Sequence, residues 1–552
     1  MESETLDFKE PSRDGDKATS KLVADAAMCL ANARGGNVVV GIRDDAGGAD
    51  AFSGTKIDAD YLKQRIWALS NPSLSVDVEP VDVAGARLVV VRVPESADIH
   101  ADPQGRAPRR VGAECHGMTP MEQQRHREDR RGVDWSARPS DRALDDVIGD
   151  ALTAARELMR NQPDIERQRL ARLENRDLLR ALGALRDDDR LTRAGEILFC
   201  ASDDDQIVYL HRPTPAGEPD DIRRLKGPLV IAFRSAMELV TARRRLTAVT
   251  FASGQQVHLE DFPTIAVREA LSNAVAHRDY HPQGPVTIAH APQVLEVSSP
   301  GSLVAGVTPE NILTHEPKPR NAALAQAIRM LGLAEQLGAG IDRMFREMLA
   351  AGKDAPAIES LPDQVRVSFV GGAPNTRIPA YLNGLPVEER EDVDALIALS
   401  TLCHRKTVDA PALAPLVQKP EASAQAALER LAQDSVGMLE PTRGTIRSRH
   451  PRYRLREDAL RALGTAVRYN RRSPDEVDRK VVAHIAEYGR ITNRTVRNLF
   501  DADVNRARDI LRDLVARDVL VKTSKASRGP TVEYGPGPSF PSRRRRREGG
   551  DA

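Results

Sequence analysis

The sequence has few of the features that mark secreted proteins, proteins with a structural zinc site, or membrane proteins. Its four cysteines are scattered and form no CxxC pair, so neither a disulfide framework nor a structural zinc site is expected. No apolar run approaches the roughly 18 residues of a membrane helix. The first eight residues lack the basic and apolar regions of a signal peptide. The sequence therefore predicts a soluble, cytoplasmic protein without a membrane partner.

The chain also lacks an excess of charge of either sign. Lysine plus arginine and aspartate plus glutamate both number 80, so nucleic-acid binding would require a local asymmetry. Such an asymmetry exists at the C-terminal end, where residues 471–552 contain 19 Lys or Arg against 12 Asp or Glu. This end is the candidate region for contact with a polyanion.

The chain does have enough apolar residues to form several hydrophobic cores. Its 552 residues are 41% hydrophobic and 29% charged, which is typical of globular proteins. At about 150 residues per domain, three or four domains are expected. Changes of pattern predict a multidomain α+β protein with these parts: a mixed α/β module (1–120), a charged linker or solvated arm (121–139), an α/β domain (140–370), a Pro/Gly-rich linker (371–390), two helical units (391–456 and 471–535), and a disordered basic tail (536–552).

Local patterns predict the elements of the first two domains. The N-terminal module reads as a helix over 17–33, a glycine turn at Gly35 and Gly36, and strands over 38–42, 86–94 and 108–112. Residues 140–193 have a helical period. Further strands are predicted over 196–200 and 206–210, and a long helix over 229–245.

The C-terminal units each read as three helices followed by two strands, the order of a winged helix. In the second unit the helices are expected over 474–488, 492–499 with Thr492 as N-cap, and 503–517. The candidate nucleic-acid contacts are basic: Arg506, Arg508 and Arg512 in the third helix, and Lys522, Lys525 and Arg528 in the wing. Interleaved aspartates leave a salt-bridged, solvated helix as the alternative.

The strongest local motif covers residues 268–280. On a helix, Glu269, Asn273 and His277 would lie on one face, where a carboxylate could orient water and an amide oxygen could reach Mg²⁺. Glycine elements follow at Gly301 and in residues 332–340, where Gly338 and Gly340 open a predicted helix and expose backbone N–H groups to an anion. A solvated helix face is the alternative interpretation of the spacing alone.

Three motifs, in residues 273–280, 317–321 and 332–335, occur in a recognisable order, and the span 140–370 resembles the divergent GHKL-type ATP-binding domain, formerly called a divergent AAA module. The resemblance implies an α/β sandwich that binds ATP and Mg²⁺. Glu269 and the metal-binding Asn273 match its N-box, Gly338 and Gly340 match its second glycine box, and Arg320 and Asn321 fall in its mobile lid. His277, Arg278, Asp279 and Gly301 complete the candidate nucleotide contacts. Ser298 to Gly301 replace the usual D-x-G-x-G, so no aspartate is available to read adenine.

Residues 2–9 and 30–45 resemble a Schlafen AlbA-type domain. In the nuclease members of that group, the resemblance implies, three acids bind a divalent metal that activates water. Glu2, Asp7 and Asp45 are the matching acids, and Lys9 is a candidate phosphate contact. Many domains of the group are expected to bind without cleaving.

Together these features predict an ATP-binding transcriptional regulator in which a nucleotide switch controls DNA binding by the winged helices, with DNA favoured over RNA and self-association expected. One alternative is a metal-dependent endoribonuclease of a defence or toxin type. Another is a degenerate switch that binds only a partner protein. The sequence does not decide whether ATP is hydrolysed.

Overall fold

The computed structural model describes residues 2–43, 48–83, 85–250, 254, 256–281, 284–304, 306–334, 340–361, 363–442, 444–470, 474–500, 504–524 and 532–541. These residues form a mixed α/β multidomain protein. One compact unit comprises Met1–Ser400 with Val408–Tyr453, and the other comprises Thr401–Thr407 with Arg454–Ala552. No helix in the described part of the chain is long and apolar enough to cross a membrane.

The N-terminal part is a four-stranded sheet backed by helices. Its elements are β1 (Leu6–Lys9), α1 (Asp16–Ala31), β2 (Gly36–Val40), α2 (Ala59–Leu69), β3 (Asp77–Val83), β4 (Ala86–Val93), β5 (Ala107–Val111), β6 (Glu114–Met118) and α3 (Pro120–Arg131). The strand order is β1-β2-β4-β3, with β1 parallel to β2 and the other pairs antiparallel. Gly36 has a φ of 139°, and a Cβ there would lie 2.2 Å from the Thr5 carbonyl oxygen, so this turn requires glycine.

Two features of this part differ from the sequence-based expectation. Cys29 in α1 and Cys115 in β6 form a disulfide, although 86 residues separate them. The stretch expected to be a linker or solvated arm contains helix α3, whose Arg130 donates hydrogen bonds to the carbonyl oxygens of Ala31, Ala33 and Ser96. Arg130 thus satisfies carbonyl groups at the end of α1, a long-range role that composition does not reveal.

The central part contains a six-stranded sheet. Its elements are β7 (Pro139–Ala143), α4 (Gly149–Arg160), α5 (Ile165–Leu170), α6 (Asn175–Ala181), β8 (Arg190–Thr192), α7 (Arg193–Phe199), β9 (Asp205–His211), β10 (Asp221–Lys226), α8 (Leu229–Ala242), β11 (Leu246–Thr250), β12 (Gln256–Glu260), α9 (Thr264–His277), β13 (Val286–Ala291), β14 (Val294–Pro300), α10 (Ala322–Met330), α11 (Gly340–Ala350), β15 (Ala357–Ser360) and β16 (Gln364–Val370).

The strand order of this sheet is β10-β9-β13-β14-β16-β15, and only the β9–β13 pair is parallel. Helices α8 and α9 pack on the sheet, and α10 and α11 pack against α9. Buried side chains on alternating positions of β13 and β14, such as Ile288, Leu295 and Val297, join these helices in one core. Helix α9 thus contacts both the sheet and α11.

The strand predicted over 196–200 is wrong, because residues 196–199 belong to α7 and Cys200 is its C-cap. The Thr192 side chain accepts a hydrogen bond from the Gly195 N–H at 3.1 Å and caps this helix. A five-residue apolar run does not distinguish a buried strand from one buried helical turn. The cap at Thr192 was the available signal.

The remainder of the chain is mostly helical. It contains α12 (Arg377–Leu382), α13 (Val387–Glu391), α14 (Val393–His404), α15 (Ala410–Val417), α16 (Glu421–Leu431), β17 (Leu439–Pro441), β18 (Tyr453–Leu455), α17 (Glu457–Leu463), α18 (Pro474–Tyr488), β19 (Ile491–Thr492), α19 (Asn493–Phe500), α20 (Val504–Ala516), β20 (Leu520–Lys522) and β21 (Glu533–Pro536). Strands β17 and β18 pair, and β19-β21-β20 form a second small sheet. Thr492 accepts a hydrogen bond from the Thr495 N–H, as its predicted N-cap role requires.

Candidate functional site

Helix α9 presents the predicted polar face to the interior of the central part. Glu269 is only 1% exposed, and its Oε1 lies 3.2 Å from Nη2 of Arg268. Ser272 donates a hydrogen bond to the Leu333 carbonyl oxygen at 2.6 Å. This bond joins the chain at Leu333 to α9.

The first residue of α11 completes the arrangement. A Cβ built at Gly340 would lie 3.1 Å from Glu269 Oε2 and 3.5 Å from Asn273 Nδ2. The carboxylate, the amide and the start of α11 therefore meet within a few ångströms. Gly338, the other predicted glycine, lies outside the described residues. The start of a helix carries backbone N–H groups that lack helical partners and favour an anion.

A cavity of about 200 Å³ opens beside this meeting point. Its walls come from α9, β14, α10, α11, β16 and the chain between β14 and α10, which we call the cover segment (residues 302–304 and 306–319). Most of the lining is apolar and includes Val297, Val304, Val307, Ile312, Ile328, Ile341, Met344 and Val367. An apolar chamber with convergent polar groups at one end is the usual form of a small-molecule site.

Asn273 is the polar group whose bonding capacity the protein leaves unused. Its Nδ2 atom is buried and has no hydrogen-bond partner among the described residues. A buried amide without a partner costs free energy, which a ligand in the cavity could recover. The Asn273 N–H groups and the first N–H groups of α11 can donate to the oxygens of a phosphate group. The side chains of Asn273 and Glu269 also carry oxygen atoms, the ligand type that Mg²⁺ prefers.

His277 lies one turn further along α9 and also lines the cavity. Burial, together with the nearby Arg320 guanidinium, lowers the pKa of His277 to about 4. The imidazole is therefore neutral near pH 7 and presents both a donor and an acceptor.

The remaining predicted contacts divide into two groups. Gly301 lines the cavity; its φ is 102°, and a Cβ there would lie 2.5 Å from Arg320 Nη1. Arg320 donates to the Ser302 carbonyl oxygen at 2.9 Å and lies 3.7 Å from Asp279 Oδ2. Arg320 and Asp279 border an adjoining cavity of about 540 Å³, which also reaches β5 and β6.

Arg278 and Asn321 are not part of the cavity lining in the described structure. The guanidinium of Arg278 lies 4.7 Å from the centre of the Tyr280 ring. Asn321 Nδ2 donates to the carbonyl oxygens of Ala276 (3.0 Å) and Arg278 (2.8 Å) and so fixes the C-terminal end of α9. These two residues support the site instead of facing it.

Most of the cover segment was not predicted to belong to the site. Lys318 lines the cavity from this segment and brings a positive charge to it, together with Arg329 of α10. The apolar lining from β16 and α11 was also missed. Lys318 belongs to the motif at residues 317–321, but it was not among the predicted contacts.

A second group of predicted residues meets in the N-terminal part and forms what we call the acidic cluster (Glu2, Asp7, Lys9 and Arg110). Asp7 is 1% exposed and lies 2.8 Å from Lys9 Nζ and 2.9 Å from Arg110 Nη1. Glu2 Oε2 lies 3.6 Å from Arg110 Nη2. The two acids thus come together, but cations of the same chain contact both.

Burial and neighbouring charges shift the pKa values of the two acids in the acidic cluster. Burial would raise the pKa of Asp7, but Lys9 and Arg110 hold it below its usual value. Burial and the nearby Asp7 raise the pKa of Glu2. Asp45, the third predicted acid, lies outside the described residues. Among the residues described, no group of three His, Cys, Asp or Glu side chains could hold a metal ion.

The predicted basic residues of the C-terminal unit are only partly described. Arg508, Arg512 and Lys522 are exposed, and Arg512 lies 3.8 Å from Asp509. The side chain of Arg506, as well as Lys525, Arg528 and the arginine-rich tail, lies outside the described residues. Two further exposed arginines, Arg494 and Arg497, lie on α19 and were missed.

Two protein families match parts of the chain. Residues 2–119 match the family described as Schlafen, AlbA_2, and residues 284–369 match the family described as putative ATP-dependent DNA helicase recG C-terminal. The crystal structure of the DIP2311 protein from Corynebacterium diphtheriae is similar, with a TM-score of 0.54 and 26% sequence identity over 84% of this chain and 94% of that one. No curated protein matches the chain significantly.

These matches confirm the two resemblances that the sequence motifs suggested. The chain has a Schlafen/AlbA_2 domain at its N-terminus and, in its centre, a domain of the recG C-terminal-like ATPase type, which together support a nucleotide-binding or nucleic-acid-related protein.

Proposed function

We propose that the central domain binds ATP with Mg²⁺ in the cavity beside α9 and that this binding regulates contact between the C-terminal units and nucleic acid. The observation that carries the proposal is the convergence of Glu269, Asn273 and Gly340, with the buried Asn273 Nδ2 lacking a partner in the described structure. The match of residues 284–369 to an ATPase-like family supports it independently.

The residues of the cavity have separable roles in this proposal. Asn273 would hold Mg²⁺ through its amide oxygen, and the start of α11 would receive phosphate oxygens. Bound Mg²⁺ would supply positive charge that offsets the phosphates. Glu269 would orient a water molecule, and the apolar walls would enclose the base. Lys318 and Arg329 add positive charge to the lining.

The C-terminal units are proposed as the nucleic-acid contacts. The first unit has three helices followed by two strands, and the second has the same order with the short strand β19 between α18 and α19. This order supports winged helices, which dock through basic helices and wings. The exposed Arg494, Arg497 and Arg508 supply phosphate-binding groups. Duplex DNA is the proposed partner, and a transcriptional regulator is the role that combines it with a nucleotide switch.

Titration calorimetry with ATP and Mg²⁺ tests the nucleotide site. We expect the Asn273→Ala variant to bind about 10- to 100-fold more weakly than the wild type, the effect of losing one contact to a charged group. The Asn383→Ala variant is the control, because Asn383 is an exposed residue at the end of α12. Equal heats and affinities in all three proteins would remove the nucleotide proposal.

The alternative function, metal-dependent RNA cleavage by the N-terminal domain, rests on the meeting of Glu2 and Asp7. Structured RNA incubated with the protein and Mn²⁺ tests it directly. If the alternative holds, cleavage occurs and is lost in the Asp7→Asn and Asp45→Ala variants. The ion pairs of Asp7 with Lys9 and Arg110 favour the opposite result, because a metal would have to displace both cations.

A further inference from the structure

The cover segment is a small folded block. Asn311 organises it, since its side chain accepts the Thr308 N–H at 2.7 Å and donates to the Gly306 carbonyl oxygen at 2.8 Å. The backbone N–H of His315 donates to the Asn311 carbonyl oxygen at 2.9 Å. A displacement of Ile312, which lines the cavity, would therefore carry the neighbouring residues with it.

The outer side of this block is fastened to the turn between α15 and α16. The Leu313 N–H donates to Gln418 Oε1 at 2.8 Å, and Gln418 Nε2 donates to the Pro309 carbonyl oxygen at 2.7 Å. The Gln418 side chain thus forms two hydrogen bonds with the cover segment, whose residues Pro309 and Leu313 lie more than 100 positions earlier in the sequence.

The backbone at Gln418 is also unusual. Gln418 ends α15 with a φ of 55°, a left-handed conformation that favours glycine or asparagine. Next to it, Lys419 lies 2.7 Å from Asp394, and Pro420 precedes the first residue of α16. The turn is therefore held from both sides, and its position sets where α16 begins.

We propose that Gln418 couples the occupancy of the cavity to the position of the α15–α16 turn. This inference rests on the proposed function, because ATP is the ligand whose arrival would shift the cover segment. A ligand transmits a change only if it binds two states with different affinity. Here the two states differ in the position of the cover segment, and Gln418 passes that difference to the turn that precedes the second helix of a proposed helix–turn–helix pair.

Hydrogen–deuterium exchange with and without ATP and Mg²⁺ tests the coupling. In the wild type, we expect ATP to slow amide exchange about tenfold, both in the cover segment and in residues 418–424. In the Gln418→Gly variant, which removes both hydrogen bonds and relaxes the backbone, the cover segment should still respond and residues 418–424 should not. Gln418→Glu keeps the acceptor for Leu313 and should show an intermediate response.

The Asp189→Gly variant is the matched control. Asp189 is another non-glycine residue with positive φ, at 62°, and lies in the turn before β8, so its response to ATP should equal that of the wild type. An undiminished response of residues 418–424 in Gln418→Gly would overturn the coupling, as would a wild type in which only the cover segment responds. Absence of any response, with no calorimetric heat, would instead remove the nucleotide proposal on which the coupling rests.

Discussion

The cavity beside α9 and the acidic cluster of the N-terminal domain both contain buried carboxylates that the sequence predicted as functional, yet their surroundings differ. At the cavity, Glu269 and Asn273 face open space and a glycine, and Asn273 Nδ2 has no partner among the described residues. In the acidic cluster, Lys9 and Arg110 already contact Asp7. A pair of acids is therefore weak evidence of a site unless unused bonding capacity and space accompany it.

The largest expected effect concerns the acidic cluster. Asp7→Ala would leave Arg110, whose side chain is 3% exposed, without its principal counter-charge, which typically costs about 3–5 kcal/mol of unfolding free energy. Urea denaturation measures the loss. Glu4→Ala is the matched control, because the Glu4–Arg34 pair is exposed and should contribute at most about 1 kcal/mol.

Metal addition sharpens the same comparison. If Asp7 serves as an ion-pair partner, Mn²⁺ should not raise the melting temperature of the N-terminal domain. A rise that is present in the wild type and absent in Asp7→Asn would identify a metal site and contradict our interpretation of the cluster.

The next effect concerns the space at Gly340. A Cβ at this position would crowd Glu269 and Asn273, so Gly340→Ala should weaken ATP binding by about 2 kcal/mol, or about 30-fold. Gly149→Ala is the matched control: Gly149 also begins a helix, and a Cβ there meets nothing within 4 Å. Equal ATP affinities in the two variants would show that the start of α11 does not approach the ligand.

A smaller effect is expected from pH. Because the pKa of His277 is lowered to about 4 from an unfolded value near 6.5, the unfolded chain binds the extra proton between these values. Stability should therefore fall as pH drops from about 6.5 to about 4, by about 1–2 kcal/mol for this group after allowance for solvent screening. Asp7, with its lowered pKa, should matter only below about pH 4.

Denaturation curves of the wild type and His277→Gln at several pH values measure this contribution. The difference in stability between the two proteins should change across the window from pH 6.5 to 4 and stay constant above it. A constant difference throughout would contradict a neutral, half-buried imidazole at the cavity.

The smallest effect concerns the C-terminal arginines. Removing one phosphate contact should lower the salt dependence of DNA binding by about 0.9 in the slope of log K against log salt. Arg494→Ala and Arg508→Ala should show this change in filter-binding titrations. Arg517→Ala should not, because Asp478 and Asp513 hold Arg517. A salt dependence as steep as that of the wild type in the first two variants would show that these arginines do not contact phosphate.

Local signals in the sequence predicted much of this architecture. Period, caps and turn glycines predicted β4, α8, β9 and the helices of the C-terminal units, and the spacing of Glu269, Asn273 and His277 predicted their shared face. Elements that depend on distant partners were not predictable in this way. Helix α3 is joined to the end of α1 by the hydrogen bonds of Arg130, and Cys29 forms a disulfide with Cys115, 86 positions away in the sequence.

The candidate site shows the same division. The polar end of the cavity comes from two short segments whose motifs are local, whereas its apolar walls come from β14, β16, α10 and α11, which only the folded topology brings together. Gln418 could not be identified from the sequence, since its partners Pro309 and Leu313 are remote and a glutamine at the end of a helix is unremarkable.

A crystal structure of the protein with a non-hydrolysable ATP analogue and Mg²⁺ tests the central claim most directly. We predict a triphosphate at the start of α11, with Mg²⁺ bonded to the Asn273 amide oxygen and the base between β14 and the cover segment. An analogue bound elsewhere, or a cavity that stays empty at saturating analogue, would contradict the account.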